Sequence, residues 1–513
     1  MTRVLIRCDA SPKIGSGHVM RCATLAAALR ERGASVDLAS RGLPPFLRER
    51  VAAAGLGVHD LPPADGPTED EGAPVLAHRE WLDASQSADA AATIEQTRTG
   101  ARPDWLIVDH YALDARWERA LRPHVSGIMA IDDLADRDHD CDLLLDQNFF
   151  LGPGTRYSGR LSPQADTLLG PRFALLRPAF AKARQLAPER DGVLRRILVS
   201  FGSFDVSNQT ALALRGIVAA GLDALAVDVV IGGESPHKAE LQSLCRGRRD
   251  WRIHVDTDDM ARLMAAADLA IGACGATSWE RCCLRLPSLV VSIADNQFPI
   301  ARDLDNAHAC VFLGRGGEVT ETSIASALRG LAANPTLLRE LGARAGELCD
   351  GQGLRRVARR LLPEPIRLRP AQRADCRAIH EWRNAEETRR YSFDSAPIAL
   401  DAHERWFAEV LRKPDVALLV GEREPGPVGV LRYDLGGGEA RISVYLVPGL
   451  QGQGLGSALL VEGTHWLRAQ HPEVRRIVAE VRDDNAASHA AFANAGFHPA
   501  AGKLVLELAD GPA

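Results

Sequence analysis

The sequence predicts an α/β chain in which a two-lobed, doubly wound region is followed by a smaller α+β domain. Three observations predict it. Apolar strand-like runs alternate with helical patterns from the first residues. The alternation stops in a stretch rich in Arg, Pro and Ala and then restarts. Beyond about residue 366, strands follow one another without intervening helices.

The first lobe is expected at 1–180, from the runs VLIRCD (4–9), WLIVDH (105–110), IMAIDD (128–133) and DLLLDQ (142–147). The stretch PPADGPTEDEGAP (62–74) reads as an exposed loop. LLRPAFAKARQLAPERDG (175–192) marks the break. The second lobe, 191–350, then carries RRILVSFG (195–202), AVDVVIG (226–232), DLAIGA (268–273) and PSLVVSI (287–293). A linker is expected at 351–365, where Pro363 and Pro365 separate a basic helix from a new strand. The last domain, 366–513, has a helical stretch at 379–412, strands near 416–421, 427–433 and 441–447, a glycine turn and a long helix.

Composition narrows the function classes. The 513 residues are 46% hydrophobic and 25% charged with net charge -6, so nothing suggests the basic face that nucleic-acid partners need. Arg3, Arg7, Asp9 and Lys13 interrupt the first twenty residues, and no apolar run reaches the roughly 18 residues of a membrane span. A cytoplasmic protein with no membrane partner is therefore expected. Ten cysteines without a C-x-x-C pair and fifteen histidines without H-E-x-x-H give no reason to expect a metal.

Three loops carry chemistry. IGSGH (14–18) joins the first strand to a helix, where free backbone N–H groups face a ligand. It lacks the Lys-Ser/Thr of a Walker loop, and Met20 stands where a dinucleotide fingerprint has its third glycine. Gly15 and Gly17 therefore mark either a phosphate cradle or a plain tight turn. His18 is a candidate for proton transfer at neutral pH, or a helix cap. Asp9, Asp109, His110, Asp132 and Asp133 end other strands and point to the same crevice, unless they only form turns. In the second lobe, GACGATSWERCC (272–283) places Gly272 and Gly275 near a ligand, Thr277 and Ser278 at a helix start, and Glu280 where it can accept ribose hydroxyls or simply favour the first turn. In the last domain, Gly449, Gly452, Gly454 and Gly456 form a turn onto a helix that suits a pyrophosphate.

These motifs resemble known families. The second lobe is similar to nucleotide-sugar enzymes of the GT-B fold, in particular the UDP-binding lobe of the lipid II-forming N-acetylglucosaminyltransferases. IRCDASPKIGSGHVMRC, LIVDHY, IDDLADRDHDCDLLLDQN, GPRFALLRPAF and GATSWERCCLRLPSLVVSIADNQ together resemble the UDP-2,4-diacetamido-2,4,6-trideoxy-β-L-altropyranose hydrolases of pseudaminic acid biosynthesis over residues 1 to about 350. That resemblance implies metal-independent, inverting cleavage of the anomeric C–O bond, with His18 as the essential histidine. UDP-sugar contacts would fall on Gly15, Gly17, Gly275, Ala276, Thr277, Ser278, Glu280, Asn296 and Gln297. SFGSFD (200–205) departs from the double-glycine pattern of the family, with Phe204 between Ser203 and Asp205.

Q451-x-x-G454-x-G456 and VAEVRDDNAASHAAFANAGF (478–497) resemble the GNAT acetyltransferases over 366–513. This implies acetyl-CoA as cosubstrate, bound by Leu446, Gln451, Gly452, Gln453, Gly454, Gly456, Ser457, Asn485 and Ser488. Phe492 stands where many relatives have a tyrosine that protonates the leaving thiolate, which passes that role to Tyr445, Ser488 or water. HEWRNAEETRRYSFDSAPIALDAHERWF (380–407) resembles the aminosugar N-acetyltransferases of the same pathway, with Arg383, Asn384, Tyr391, His403 and Trp406 as acceptor contacts. Trp382, Trp406 and Phe407 at helical spacing fit a core equally well. Glu480 is a candidate base for the amine.

Together the resemblances imply a bifunctional enzyme in which the last domain acetylates a UDP-4-amino sugar that the first region then hydrolyses. The alternatives are another UDP-diamino-trideoxy sugar, glycosyl transfer to an acceptor, or a nucleotide-sugar sensor without catalysis. The oligomeric state is not legible.

Overall fold

The computed structural model describes residues 2–508 apart from 12, 64–74, 99, 203–204, 223, 363–365, 425 and 453. Most of the loop expected at 62–74, together with Ser203, Phe204, Pro363, Pro365 and Gln453, lies outside the described residues. The chain divides into two compact units, Met1–Leu362 and Pro363–Ala513.

The first unit holds two sheets. β1 (Arg3–Cys8), β2 (Ser35–Ser40), β3 (Gly57–Asp60), β4 (Trp105–Asp109), β5 (Gly127–Ile131), β6 (Leu143–Asp146) and β7 (Asp166–Leu169) form one, in the order 3-2-1-4-5-6-7. β8 (Arg196–Ser200), β9 (Ala226–Ile231), β10 (Trp251–Val255), β11 (Leu269–Ala273), β12 (Ser288–Ser292) and β13 (Val311–Arg315) form the other, in the order 10-9-8-11-12-13. Every pairing in both is parallel. This is the two-lobed, GT-B-like arrangement that the sequence predicts. The central strands are buried on both faces, as β5 and β11 are along their whole length, so they read as unbroken apolar runs.

The order reverses between β1 and β4 in the first sheet and between β8 and β11 in the second. In open parallel sheets the crevice beyond the carboxyl ends at such a reversal is where ligands sit. The loop after β1, with His18, and the loop after β11, with Gly275, fall at these two places.

The segment 351–365 differs from its expectation as a linker. It contains the helix Gly353–Leu361, whose Leu354, Val357, Ala358 and Leu361 are buried in the core of the first lobe with Val19, Cys22 and Leu25. Its apolar residues recur at helical spacing, so the basic helix expected before Pro363 packs as the last element of the first unit instead of serving as a linker.

The second unit has seven strands: β14 (Arg367–Pro370), β15 (Val416–Arg423), β16 (Gly426–Gly436), β17 (Glu439–Leu446), β18 (Arg476–Ala479), β19 (His498–Ala500) and β20 (Lys503–Glu507), ordered 14-15-16-17-18-20-19. All neighbours are antiparallel except β17 and β18. That parallel pairing ends at Ile442 opposite Ala479, while β17 stays paired with β16 to Leu446, so the sheet splits there. Close packing requires glycine at 463: a Cβ there, on the helix Leu455–Gln470, would stand 2.6 Å from the Tyr433 hydroxyl.

Candidate functional site

At the first reversal, β1 leads through a tight turn into the helix Gly17–Glu31. Gly15 takes φ +80° and its N–H donates to the Ser11 carbonyl at 2.7 Å, a turn that a Cβ would strain. His18 follows, 8% exposed, with Nδ1 2.6 Å from Asp109 Oδ1 at the end of β4. Arg21, one turn on, donates to both Asp109 oxygens at 2.6 Å and to Asp133 at 2.7 Å. Burial by itself raises the Asp109 carboxyl, but Arg21 and His18 outweigh it and hold that carboxyl well below the usual range. An ionised carboxylate only accepts, so Nδ1 of His18 is the donor and Nε2 is left as the proton-accepting nitrogen.

Rings surround this histidine. His18 meets Tyr111 edge-on with centroids 4.7 Å apart, and Trp81 stacks on Tyr111 at 5.1 Å and 23°. The Tyr111 hydroxyl donates to Asp133, which also accepts from Asn148 at 2.7 Å.

Of the strand-end residues expected in this crevice, Asp109 and Asp133 join His18. Asp9 belongs instead to a fully buried cluster with Arg7, which also pairs with Asp89 at 2.7 Å. His110 lies 3.3 Å from Asp9, and Asp132 pairs with Arg137 at 2.8 Å. These three hold the fold around the site rather than lining it. Arg21, Trp81 and Tyr111 escape the sequence reading. The one available signal was Arg21 itself, a charge three residues after His18 on the same face of an otherwise apolar helix.

At the second reversal, Gly275, Ala276 and Thr277 are at least partly exposed ahead of the short helix Thr277–Cys283. Ser278 differs from its expected role. It is 2% exposed, and its Oγ accepts from Arg281 at 3.0 Å, so the hydroxyl is turned into the lobe. Gly272 likewise serves packing, since a Cβ there would stand 2.3 Å from the Ser200 carbonyl. Glu280 is half-buried, and burial pushes its carboxyl up to about 7 despite the nearby Arg177 and Arg281. Asp205 caps the helix Gln209–Ala220, accepting from Gln209 and Thr210 at 2.9 and 2.8 Å, which leaves no carboxylate oxygen without a backbone donor. Gln297 accepts from the Ile293 N–H at 3.2 Å, and Asn296 begins the helix Gln297–Asn306. A cavity of about 490 Å³ opens beside them, at the ends of β12 and β13, lined by Gln209, Ser292, Asp295, Arg315 and Gly316.

In the second unit, Gly449, Gly452 and Gly454 all have φ between 71° and 81°, and the helix Leu455–Gln470 starts from Gly454. Gln451, Gly452 and Gly454 are exposed, and Gly456 and Ser457 lie in the first helical turn, where N–H groups have no partner within the helix. Leu446 ends β17 beside the split in the sheet. Glu387, not anticipated, accepts from the Gly449 N–H at 3.2 Å.

Asn485 caps the helix Ala486–Asn494 by accepting from the Ser488 N–H at 3.0 Å. Phe492 is buried against Phe497, and burial pushes the Tyr445 phenol up. Glu480 is exposed and paired with Lys503 at 3.0 Å and Arg441 at 3.2 Å, which hold it ionised.

Among the expected acceptor contacts, two are structural. Asn384 clasps Ile398, donating to its carbonyl and accepting from its N–H, both at 2.8 Å. His403 is 2% exposed with Nε2 3.1 Å from the Cys376 carbonyl. Arg383 and Trp406 are partly exposed and Tyr391 is exposed. Among the described residues no group of three or more His, Cys, Asp or Glu is placed to hold a metal ion, and no helix is long and apolar enough to cross a membrane.

Residues 366–498 match the family model described as the acetyltransferase (GNAT) domain. The second unit carries a GNAT domain. Its split sheet and its glycine turn are thus those of an acetyltransferase fold. The chain is also 30% identical over 193 residues, 37% of its length and 56% of the relative's, to the spore coat polysaccharide biosynthesis protein SpsG of Bacillus subtilis. It is 35% identical over 202 residues, 36% of its length and 47% of the relative's, to the UDP-N-acetylglucosamine–N-acetylmuramyl-(pentapeptide) pyrophosphoryl-undecaprenol N-acetylglucosamine transferase of Sorangium cellulosum. The chain spans about half the length of the curated relatives it matches. Likeness to the crystal structure of Acinetobacter baumannii MurG covers 70% of this chain and 98% of that one, at 15% identity and TM-score 0.49.

Proposed function

We propose that the chain is a bifunctional enzyme of pseudaminic acid biosynthesis. The GNAT domain acetylates the 4-amino group of UDP-4-amino-4,6-dideoxy-N-acetyl-β-L-altrosamine, and the first unit hydrolyses the resulting UDP-2,4-diacetamido-2,4,6-trideoxy-β-L-altropyranose. The observation that carries the hydrolase reading is the 2.6 Å contact of His18 Nδ1 with Asp109 at the first sheet reversal. With Nδ1 donating to Asp109, Nε2 is the nitrogen free to take a proton, and the buried carboxylate stabilises the imidazolium once formed.

Water attacks C1 from the face opposite the nucleotide and passes its proton to His18 Nε2. The C1–O bond breaks, and its electron pair leaves with UDP. Because UDP is already a good leaving group, the protein mainly positions the water and the diphosphate. Gly275, Ala276, Thr277, Asn296 and Gln297 are the contacts for the nucleotide sugar, and Glu280 for the ribose.

In the GNAT domain the exposed N–H groups of 451–457 take the pyrophosphate of acetyl-CoA, and Leu446 lies beside its pantetheine. The sugar amine attacks the thioester carbonyl, and the thiolate departs. Phe492 offers no proton, and burial keeps the Tyr445 phenol protonated, so Tyr445, Ser488 or water delivers the proton that reaches the sulfur. Glu480, already paired, is a poor base, which leaves the amine to arrive deprotonated from solvent.

The test is a one-pot assay with acetyl-CoA and the UDP-4-amino sugar, following thiol and UDP separately. We expect thiol first and UDP second, with His18→Ala losing UDP release by about 10²–10⁴-fold and keeping thiol release. UDP release that precedes acetylation, or that survives in His18→Ala, overturns the reading. The likeness to a glycosyltransferase favours a second reading, transfer to an acceptor; UDP release that needs an added acceptor is its signature.

A further inference from the structure

The ring cluster beside His18 contains more than catalysis needs. Tyr111 is 5% exposed, and its hydroxyl is turned away to Asp133, so it offers the crevice no hydrogen bond. Trp81, stacked on Tyr111, is only half-buried, and it stands 6.1 Å from His18 with its plane at 82° to the imidazole.

The third neighbour, His78, lies 4.5 Å from Trp81 and 5.4 Å from Tyr111. A ring covering the outer face of Trp81 would stand at roughly twice the stacking distance from Tyr111. His78 is therefore at the side of the pair, and among the described residues no ring of the cluster covers that outer face. The indole is also held in place: it ends the short turn Arg79–Trp81, and the following Leu82 and Ala84 are buried in the core of the lobe. Burial lowers His78, so this neighbour favours its neutral form and brings no charge to the wall.

We propose that the outer face of Trp81 is the surface against which the pyranose ring of the nucleotide sugar packs, making Trp81 the specificity-determining residue of the His18 site. The proposal rests on the reading of that site as one for a nucleotide sugar. A pyranose presents C–H groups on one face and hydroxyls or acetamido groups at its rim. An indole face removes the C–H side from water without asking for a hydrogen bond. Tyr111 acts as a positioning residue: it backs the indole and is itself fixed through Asp133, which Arg21 also holds. The wall and the catalytic nitrogen thus share one buried ion network, which fixes the distance between the ring it orients and the base that serves it.

The test measures dissociation constants by calorimetry on the full chain in a His18→Ala background, which prevents turnover. The two probes are UDP and UDP-2,4-diacetamido-2,4,6-trideoxy-β-L-altropyranose. We expect Trp81→Ala to weaken the UDP-sugar about tenfold, equivalent to about 1.4 kcal/mol, while leaving UDP unchanged. Trp81→Phe keeps most of the affinity, since a smaller aromatic face remains. Equal weakening of both probes, or no weakening of either, overturns the platform. If the parent binds UDP but gains nothing from the sugar, the platform falls while the nucleotide site stands. If it binds neither probe, the nucleotide-sugar reading falls and the platform with it.

Discussion

The two sheet reversals of the first unit are built from different materials. The first is an ion network: His18, Arg21, Asp109 and Asp133 are each no more than 9% exposed and interlock at 2.6 to 2.7 Å. The second is small residues and backbone, with Gly272 pressed on Ser200 and one half-buried acid, Glu280. A group that must move a proton needs its tautomer and orientation fixed in advance, and buried charge does that at the risk of instability. A group that only grips a ligand needs access, and backbone in a loop gives it cheaply. Substitutions of the buried carboxylates at the first reversal are therefore expected to cost fold and chemistry together, and substitutions at the second to separate them.

The largest effect is expected from Asp109→Asn. Four donors converge on this carboxylate, one each from His18 and Cys22 and two from Arg21. Removing the charge leaves Arg21 buried beside Asp133 alone, a loss of about 3–5 kcal/mol by the usual cost of breaking a buried pair. It also frees the His18 tautomer. Thermal unfolding and UDP release should fall together, whereas His18→Ala should lose release while keeping most of its stability. An Asp109→Asn variant with unchanged unfolding temperature removes the contrast between the two regions.

The parts of this picture that were legible in the sequence are those whose cause is local. β1, β4, β5, β8, β11 and β12 are central strands, apolar on both faces, and each shows as a run. β3, β7, β10 and β13 are flanking or edge strands with partly exposed residues, and their mixed patterns leave no such run. The turns that lead into the helices Gly17–Glu31 and Leu455–Gln470 are legible because a positive φ at Gly15 or Gly454 restricts the residue type at that position. What binds over distance was hidden: Arg7 meets Asp89 82 residues later, and Arg21 meets Asp109 88 residues later. Nothing in a single chain's spacing distinguishes Ser278, turned inward to Arg281, from a serine that faces phosphate. Asn384 and His403 misled for the same reason, since a polar residue on a helix near a site is equally suited to clasp a neighbouring loop.

A smaller effect is expected where the second region is tightest. At Gly272 a Cβ would lie 2.3 Å from the Ser200 carbonyl oxygen and 2.8 Å from Arg281 Nη1. The backbone of β8 cannot retreat without loosening its pairing with β11, so Gly272→Ala should cost about 1–3 kcal/mol, as overpacking does. Denaturant unfolding reads it. Since Gly272 is packing rather than ligand contact, the surviving folded fraction should bind UDP with wild-type affinity; a loss of affinity out of proportion to stability would make Gly272 part of the grip after all.

The smallest and sharpest effect concerns Glu280. Its carboxyl is raised to about 7 by burial, against an ordinary value of 4.5. A raised carboxyl contributes stability that is fully present below its unfolded value and is lost as pH rises through about 7. Ligand binding runs the opposite way. Only the ionised form accepts two ribose hydroxyls, so UDP affinity should be flat above about pH 8 and fall with decreasing pH below about 7, by up to about tenfold per pH unit. Glu280→Gln removes the titration: its UDP affinity should be weak and flat across pH 5.5–8.5, with unfolding temperature at neutral pH unchanged or slightly raised because a buried charge is gone. Calorimetric UDP binding against pH in both proteins decides it. A wild-type profile as flat as that of Glu280→Gln would mean that the acid serves only the first turn of its helix, and the second reversal would then hold its nucleotide by backbone alone.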